Sequence, residues 1–188
     1  LPEGQRLQYL AGQYIDILMQ DGKRRSFSLA NAPHDDEFLQ LHIRNYSGTF
    51  STFVFNQLKE KAILRFEGPL GSFFLREDSD KPMIFMAGGT GFAPIKGILE
   101  HAFHKENERE MVLYWGVRAR EDLYMAELAD QWQREHKNFT FIPVLSDPLP
   151  EDKWQGRTGF VHQAILDDFD NLSGYQVYAC GAPVMVEA

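Results

Sequence analysis

From Pro82 onward, apolar runs alternate with amphipathic stretches, and this rhythm constrains the fold more than any other feature of the chain. Met83 to Ala87, Met111 to Val117, Phe139 to Leu145 and Gln176 to Cys180 read as strands. Ala93 to Lys105, Asp122 to His136 and Phe160 to Phe169 read as helices between them, the last with Val161, Ala164, Ile165 and Leu166 facing inward. Strand–helix alternation argues a parallel sheet with helical crossovers. A helix is expected to follow the last strand as well, and because the chain stops at Ala188, a C-terminus cut short is expected.

The character differs before Asp78-Ser79-Asp80-Lys81-Pro82. Short strand-like runs are expected at Gln13 to Met19, where Ile15 and Ile17 alternate with Asp16, and at Arg25 to Leu29, Phe38 to Arg44 and Ala62 to Phe66. Asp21-Gly22 reads as a hairpin turn and Gly68-Pro69-Leu70-Gly71 as a second turn cluster. One helix is expected over Ser51 to Leu58, with Phe53, Val54 and Leu58 on a face. Short strands with close turn signals point to a small antiparallel barrel. Two domains are therefore expected, residues 1–79 and residues 80–188.

Composition narrows the functions. The chain has 188 residues, 44% hydrophobic and 24% charged, which excludes general disorder. Residues 1–80 carry 9 Lys and Arg against 11 Asp and Glu, and residues 81–188 carry 10 against 16. Neither part has the basic field of a nucleic-acid binder, although Lys23-Arg24-Arg25 suits a small anion. No apolar run approaches the ~18 residues of a membrane helix. The single cysteine, Cys180, excludes a disulfide framework and a four-cysteine iron–sulfur or zinc site within the chain, and it fits a reducing cytoplasm. The first residue is Leu1 rather than Met, so a piece of something longer is expected.

Four short motifs carry the chemistry. Gly88-Gly89-Thr90-Gly91-Phe92-Ala93-Pro94 follows a buried strand and opens a helix. Glycine there admits a ligand close to the backbone, and the helix start offers free amides to a pyrophosphate. Pro94 suits a first helical turn, and a tight strand–helix turn without a ligand is the plain alternative. Cys180-Gly181-Ala182-Pro183 ends a later strand, where α/β sheets place ligands; Cys180 also suits a small buried hydrophobe. Arg118 ends the Met111 strand and faces either a phosphate or ribose, or solvent. In Arg25-Ser26-Phe27-Ser28, the Arg suits a pyrophosphate, the Phe a stacked ring and the Ser hydroxyl a ring nitrogen. Gly48-Thr49-Phe50-Ser51-Thr52 precedes the first helix and forms either a phosphate nest or an ordinary N-cap. His101 and His104 stand at i, i+3 on one helix with no clear third metal ligand, and are expected at the surface.

In this order and over essentially the whole chain, these motifs resemble the ferredoxin–NADP reductase superfamily. Phe66-Glu67-Gly68-Pro69-Leu70-Gly71-Ser72-Phe73, Tyr114-Trp115-Gly116-Val117-Arg118 and Gly156-Arg157-Thr158-Gly159 resemble its branch of CDP-6-deoxy-3,4-glucoseen reductases, oxygenase reductase components and NAD(P)H–flavin reductases. The resemblance implies a Greek-key antiparallel barrel binding FAD, followed by an α/β domain binding NADH or NADPH. It implies cofactor contacts from Arg25, Ser26, Phe27, Ser28, His42, Ile43, Arg44, Gly48, Thr49, Ser51 and Thr52 on the flavin side. On the nicotinamide side it implies Gly89, Thr90, Gly91, Pro94, Arg118, Cys180, Gly181 and Pro183. Ser28, Thr90 and Cys180 would border the hydride path. It further implies an electron-acceptor protein or an attached [2Fe–2S] domain outside this chain, and truncation at both ends. Two other readings stay open: a reductase of free flavin, and a flavin- or nucleotide-binding sensor without turnover.

Overall fold

The computed structural model describes residues 4–19 and 21–187; Leu1 to Glu3, Gln20 and Ala188 lie outside it. Two sheets are present. The first is antiparallel, with strands β1 (Tyr14–Leu18), β2 (Arg24–Ser28) and β3 (Arg65–Leu70) in the order β2-β1-β3. The second is parallel, with β4 (Met83–Gly88), β5 (Met111–Val117), β6 (Phe139–Leu145), β7 (Arg157–Thr158) and β8 (Gln176–Cys180) in the order β7-β6-β5-β4-β8.

The parallel half forms as its rhythm predicts. The first five residues of β4 are buried, which explains an unbroken apolar run where alternation would mark a half-exposed strand. Helix α2 (Phe92–His104) and helix α3 (Ala126–Glu135) cover one face, with Phe92, Ile95, Ile98 and Trp132 packed against Phe85, Leu113 and Trp115. Helix α4 (Val161–Asp168) covers the other, setting Val161, Ala164 and Ile165 against Ile84 and Tyr114; Leu166, expected to face inward, is exposed instead. Helix α3 starts four residues later than expected, because a 3-10 turn at Arg120–Asp122 comes first. A short helix, α5 (Pro183–Val186), follows β8.

The antiparallel half departs from expectation in three places. The Asp21-Gly22 turn does join β1 to β2, with the Gly22 amide donating to Met19 O at 3.0 Å. The strand expected at Phe38 to Arg44 does not form; only one bridge, Leu29 to Leu41, survives. The Asn31 side chain, 2% exposed, replaces the ladder. Its amide donates to Phe38 O at 2.7 Å and its carbonyl accepts from the Gln40 amide at 2.9 Å. The expected strand at Ala62 to Phe66 is displaced to Arg65–Leu70 and runs through the supposed Gly68-Pro69 turn. That is tolerated because β3 is an edge strand with an irregular register against β1, where proline need not donate. The first helix, α1 (Thr49–Asn56), begins two residues early.

Candidate functional site

The parallel sheet changes direction at β4: β5, β6 and β7 lie to one side and β8 to the other. Ligands of open α/β sheets bind at such a point, beyond the carboxyl ends of the strands. Ala87 pairs in register with Cys180, so the turns that follow these strands meet side by side. Gly91 shows how closely. A Cβ there would stand 2.0 Å from the carbonyl oxygen of Cys180 and 2.9 Å from the amide nitrogen of Gly181. Gly91 therefore permits one turn to rest on the other, a reason for glycine separate from any phosphate.

A cleft of about 780 Å³ opens above this junction, and both halves of the chain line it. The antiparallel half contributes Arg25, Ser26, Phe27 and Ser28 from β2, His42, Ile43 and Arg44 from the following segment, and Gly48, Thr49 and Ser51 from the start of α1. The parallel half contributes Gly89, Thr90, Gly91, Arg118, Cys180 and Gly181. Thr52, Pro94 and Pro183 do not line it: Thr52 turns its amide to Gly48 O, Pro94 is buried in α2, and Pro183 starts α5. The motifs singled out neither Tyr46 nor Met185 as cofactor contacts. Tyr46 is 71% exposed at the cleft, with the Arg44 guanidinium 5.5 Å from its ring centre. An aromatic between two motif segments was the available signal; Met185 had none.

The charges in the cleft are unevenly spent. Lys23 pairs with Asp21, and Arg24 pairs with Glu67 at 2.6 Å. Arg25 donates only to the backbone, to Arg24 O at 2.8 Å, and has no carboxylate partner among the described residues. At the start of α1, the Ser51 hydroxyl donates to Gly48 O and accepts from the Gly48 amide, both at 3.1 Å. This leaves the first-turn amides of α1 without intrahelical acceptors. An unpaired guanidinium beside free helix-start amides is a donor set for a pyrophosphate, and Phe27 beside them offers a ring face. The antiparallel side thus fits FAD.

Arg44 and His42 are committed across the halves. Arg44 pairs with Asp122 at 2.7 Å, and His42 Nδ1 is hydrogen-bonded to the Tyr124 hydroxyl at 2.7 Å. A second cavity, of about 340 Å³, lies between them and shares Gly89 and Thr90 with the cleft. Burial, helped by the charge of Lys96, holds the His42 imidazole below its ordinary 6.5, at about 4. The unfolded chain therefore takes up this proton first as acid is added. Native stability from His42 is complete above pH 6.5 and is lost as pH falls toward 4. Melting temperatures of wild type and His42→Gln should converge across that window, with the wild type falling more steeply; parallel profiles would refute the assignment.

Burial also pushes the Cys180 thiol up, so it stands in the cleft as a neutral group and not as a nucleophile. His104 is exposed, as expected, and stacks on His34 at 3.8 Å; His101 is largely buried and pairs with Glu77 at 2.7 Å. Among the described residues no cluster of His, Cys, Asp and Glu could hold a metal, and no helix is long and apolar enough to cross a membrane.

Comparison with known proteins agrees with this layout. Residues 1–75 match the family model described as an oxidoreductase FAD-binding domain, and residues 85–188 match the oxidoreductase NAD-binding domain. The CDP-6-deoxy-L-threo-D-glycero-4-hexulose-3-dehydrase reductase of Yersinia pestis is 46% identical over 189 residues, covering 100% of this chain and 56% of its own. A terephthalate 1,2-dioxygenase reductase component of Comamonas sp. is 39% identical over 191 residues, with coverage of 100% and 56%. Among solved structures, the ferredoxin reductase of carbazole 1,9a-dioxygenase superposes with a TM-score of 0.84 at 26% identity, covering 98% of this chain and 56% of that one. The chain spans about half the length of the curated relatives it matches.

Proposed function

Because the chain belongs to the oxidoreductase NAD-binding domain family, here joined to an FAD-binding domain, we propose that it is the flavin-reducing part of an NADH-dependent reductase. The observation that carries this is that Ser28 and Gly91, from opposite halves of the chain, line one cleft. A binding module without turnover would need only one of those walls. FAD, when bound, would supply a two-electron acceptor for a hydride that can also release electrons one at a time.

The residues divide the work. Arg25 and the first-turn amides at Thr49 and Phe50 hold the pyrophosphate of FAD, with Phe27 against its ring system and the Ser28 hydroxyl toward a ring nitrogen. Gly89, Thr90 and Gly91 present backbone to the nicotinamide nucleotide, and Thr90 and Cys180 border the hydride path. The Cys180 thiol, kept neutral by burial, packs there as a small uncharged wall. Arg44 with Asp122, and His42 with Tyr124, tie the two halves together on one flank of the cleft. The domain boundary falls between residues 79 and 80. Electrons would leave to an iron–sulfur centre outside this chain; the names of the relatives support an oxygenase or a deoxysugar-pathway partner as their destination. A single free thiol suits a cytoplasmic setting.

Charge pairing favours NADH over NADPH. A 2′-phosphate needs an uncommitted cation. Arg118, the cation of this pair that lines the cleft, already pairs with Asp147 through Nε at 3.0 Å and Nη2 at 2.9 Å, whereas Arg120, whose guanidinium reaches Asp152 O at 3.3 Å, does not line the cleft. Asp147→Asn should release Arg118 and raise kcat/KM with NADPH relative to NADH by about tenfold, the worth of one exposed charge-assisted contact. An unchanged ratio of the two coenzymes would overturn that preference. The broader reading is tested by mixing the protein with FAD and NADH without oxygen. Bleaching of the yellow absorbance is expected, and a full-length protein that stays yellow would refute it. Retention of FAD through gel filtration separates a bound cofactor from a free flavin substrate.

A further inference from the structure

The two halves of the molecule are joined where α2 lies against residues 29–40. Lys96, in the second turn of α2, is 5% exposed. Its ammonium donates to Ala30 O at 3.0 Å and to Gln40 Oε1 at 2.9 Å, and pairs with Glu100 Oε1 at 2.7 Å. An ammonium carries three protons, and here each has an acceptor, two of them across the domain junction. A lysine normally carries its charge out to water, so an ammonium held inside and fully matched is a directed arrangement. Beside it, a Cβ on Gly97 would stand 2.9 Å from Asn31 O and 3.2 Å from Leu29 O, so the helix backbone itself touches the opposing segment.

The acceptors are themselves fixed. Asn31 holds the Gln40 amide, and the Ala30 amide donates to Gln40 O at 2.8 Å. Ala30 follows Ser28 by two residues, and Lys96 follows Gly91 by five; Ser28 and Gly91 both line the cleft. Lys96 lines neither cavity. We propose that Lys96 is a positioning residue: its contacts with Ala30 and Gln40 set the distance between the flavin wall and the nicotinamide wall. This rests on the reductase reading above. Transfer requires reacting atoms about 3–3.5 Å apart, and an error near 1 Å costs about a hundredfold, so a small loosening at the junction suffices to slow it.

The test uses the full-length protein with two variants, Lys96→Met, which keeps the side-chain length, and Gln40→Leu, at an exposed residue whose replacement leaves the core intact. Lys96→Met should keep FAD and NADH affinities within about twofold while flavin reduction at saturating NADH slows by about tenfold or more. The long-wavelength charge-transfer absorbance of the NADH complex should weaken. Amide exchange over residues 29–32 should quicken even without ligands. Gln40→Leu should give a smaller loss of the same kind, and the double variant should be no slower than Lys96→Met alone, because Lys96→Met already removes the contact that Gln40→Leu cuts. Wild-type rates in both variants, or FAD loss that tracks the rate loss, would overturn the proposal. If Lys96→Met does not fold, Gln40→Leu alone decides by the same readouts. If wild type is not reduced by NADH, the reductase reading falls, whereas ligand-free amide exchange still tests the junction.

Discussion

Arg25→Ala is expected to yield a folded protein that no longer keeps FAD. Lys23 and Arg24 are consumed by Asp21 and Glu67, whereas Arg25 faces the cleft without a carboxylate. Its guanidinium is half-buried on β2, so removing it deletes little packing, and the antiparallel ladder of β1 and β2 is untouched. A charge-assisted contact to phosphate contributes about 1.5–3 kcal/mol, which corresponds to a loss of roughly ten- to hundredfold in affinity. Equilibrium titration with FAD, alongside a thermal melt, separates the two effects: the affinity should fall while the melt stays within a degree or two. Unchanged retention of the flavin would remove Arg25 from the site.

Gly91→Ala should have the opposite profile. The added methyl would meet backbone atoms of Cys180 and Gly181, which cannot rotate away as a side chain would. Either the start of α2 or the end of β8 must move. Overpacking of this kind costs about 1–3 kcal/mol, and the displacement should cut NADH-dependent reduction by about a hundredfold. FAD affinity should stay near wild type, because the flavin wall is built on β2 and α1. Rapid-mixing kinetics under anaerobic conditions would show it. A variant that reduces flavin at the normal rate would mean that the two turns are not held in contact.

The parallel half was legible because its central strands are buried on both faces, which writes itself as unbroken apolar runs in β4 and β5, and because the flanking β6 and β8 keep to the same strand–helix rhythm: β5, β6 and β8 begin and end where the sequence places them. The turns after β4 and β8 were legible for a related reason, since glycine follows each strand at the point where the backbones touch. Phe38 to Arg44 misled because its alternation mimics a strand, while a single buried side chain from elsewhere, Asn31, takes over the hydrogen bonding. Local pattern holds no trace of that. Gly68-Pro69 misled because turn chemistry and a bulged edge strand use the same residues. In the site, β2 and both glycine turns were found by motif, and the structure brings them into one cleft. Lys96 was invisible: a lysine on a helix reads as a solvated residue, and only the docking of the halves encloses it. The Arg118–Asp147 pair was equally hidden, since its members lie on successive strand ends far apart in sequence.

Trp115 gives the molecule an optical gauge of its own. Its indole is sealed from water, stacks on Phe92 at 3.9 Å and donates to Gly89 O at 3.0 Å, so it is tied directly to the turn that receives the nucleotide. Whatever presses on Gly89 alters the surroundings of that chromophore, and its emission can follow occupancy of the turn without any label.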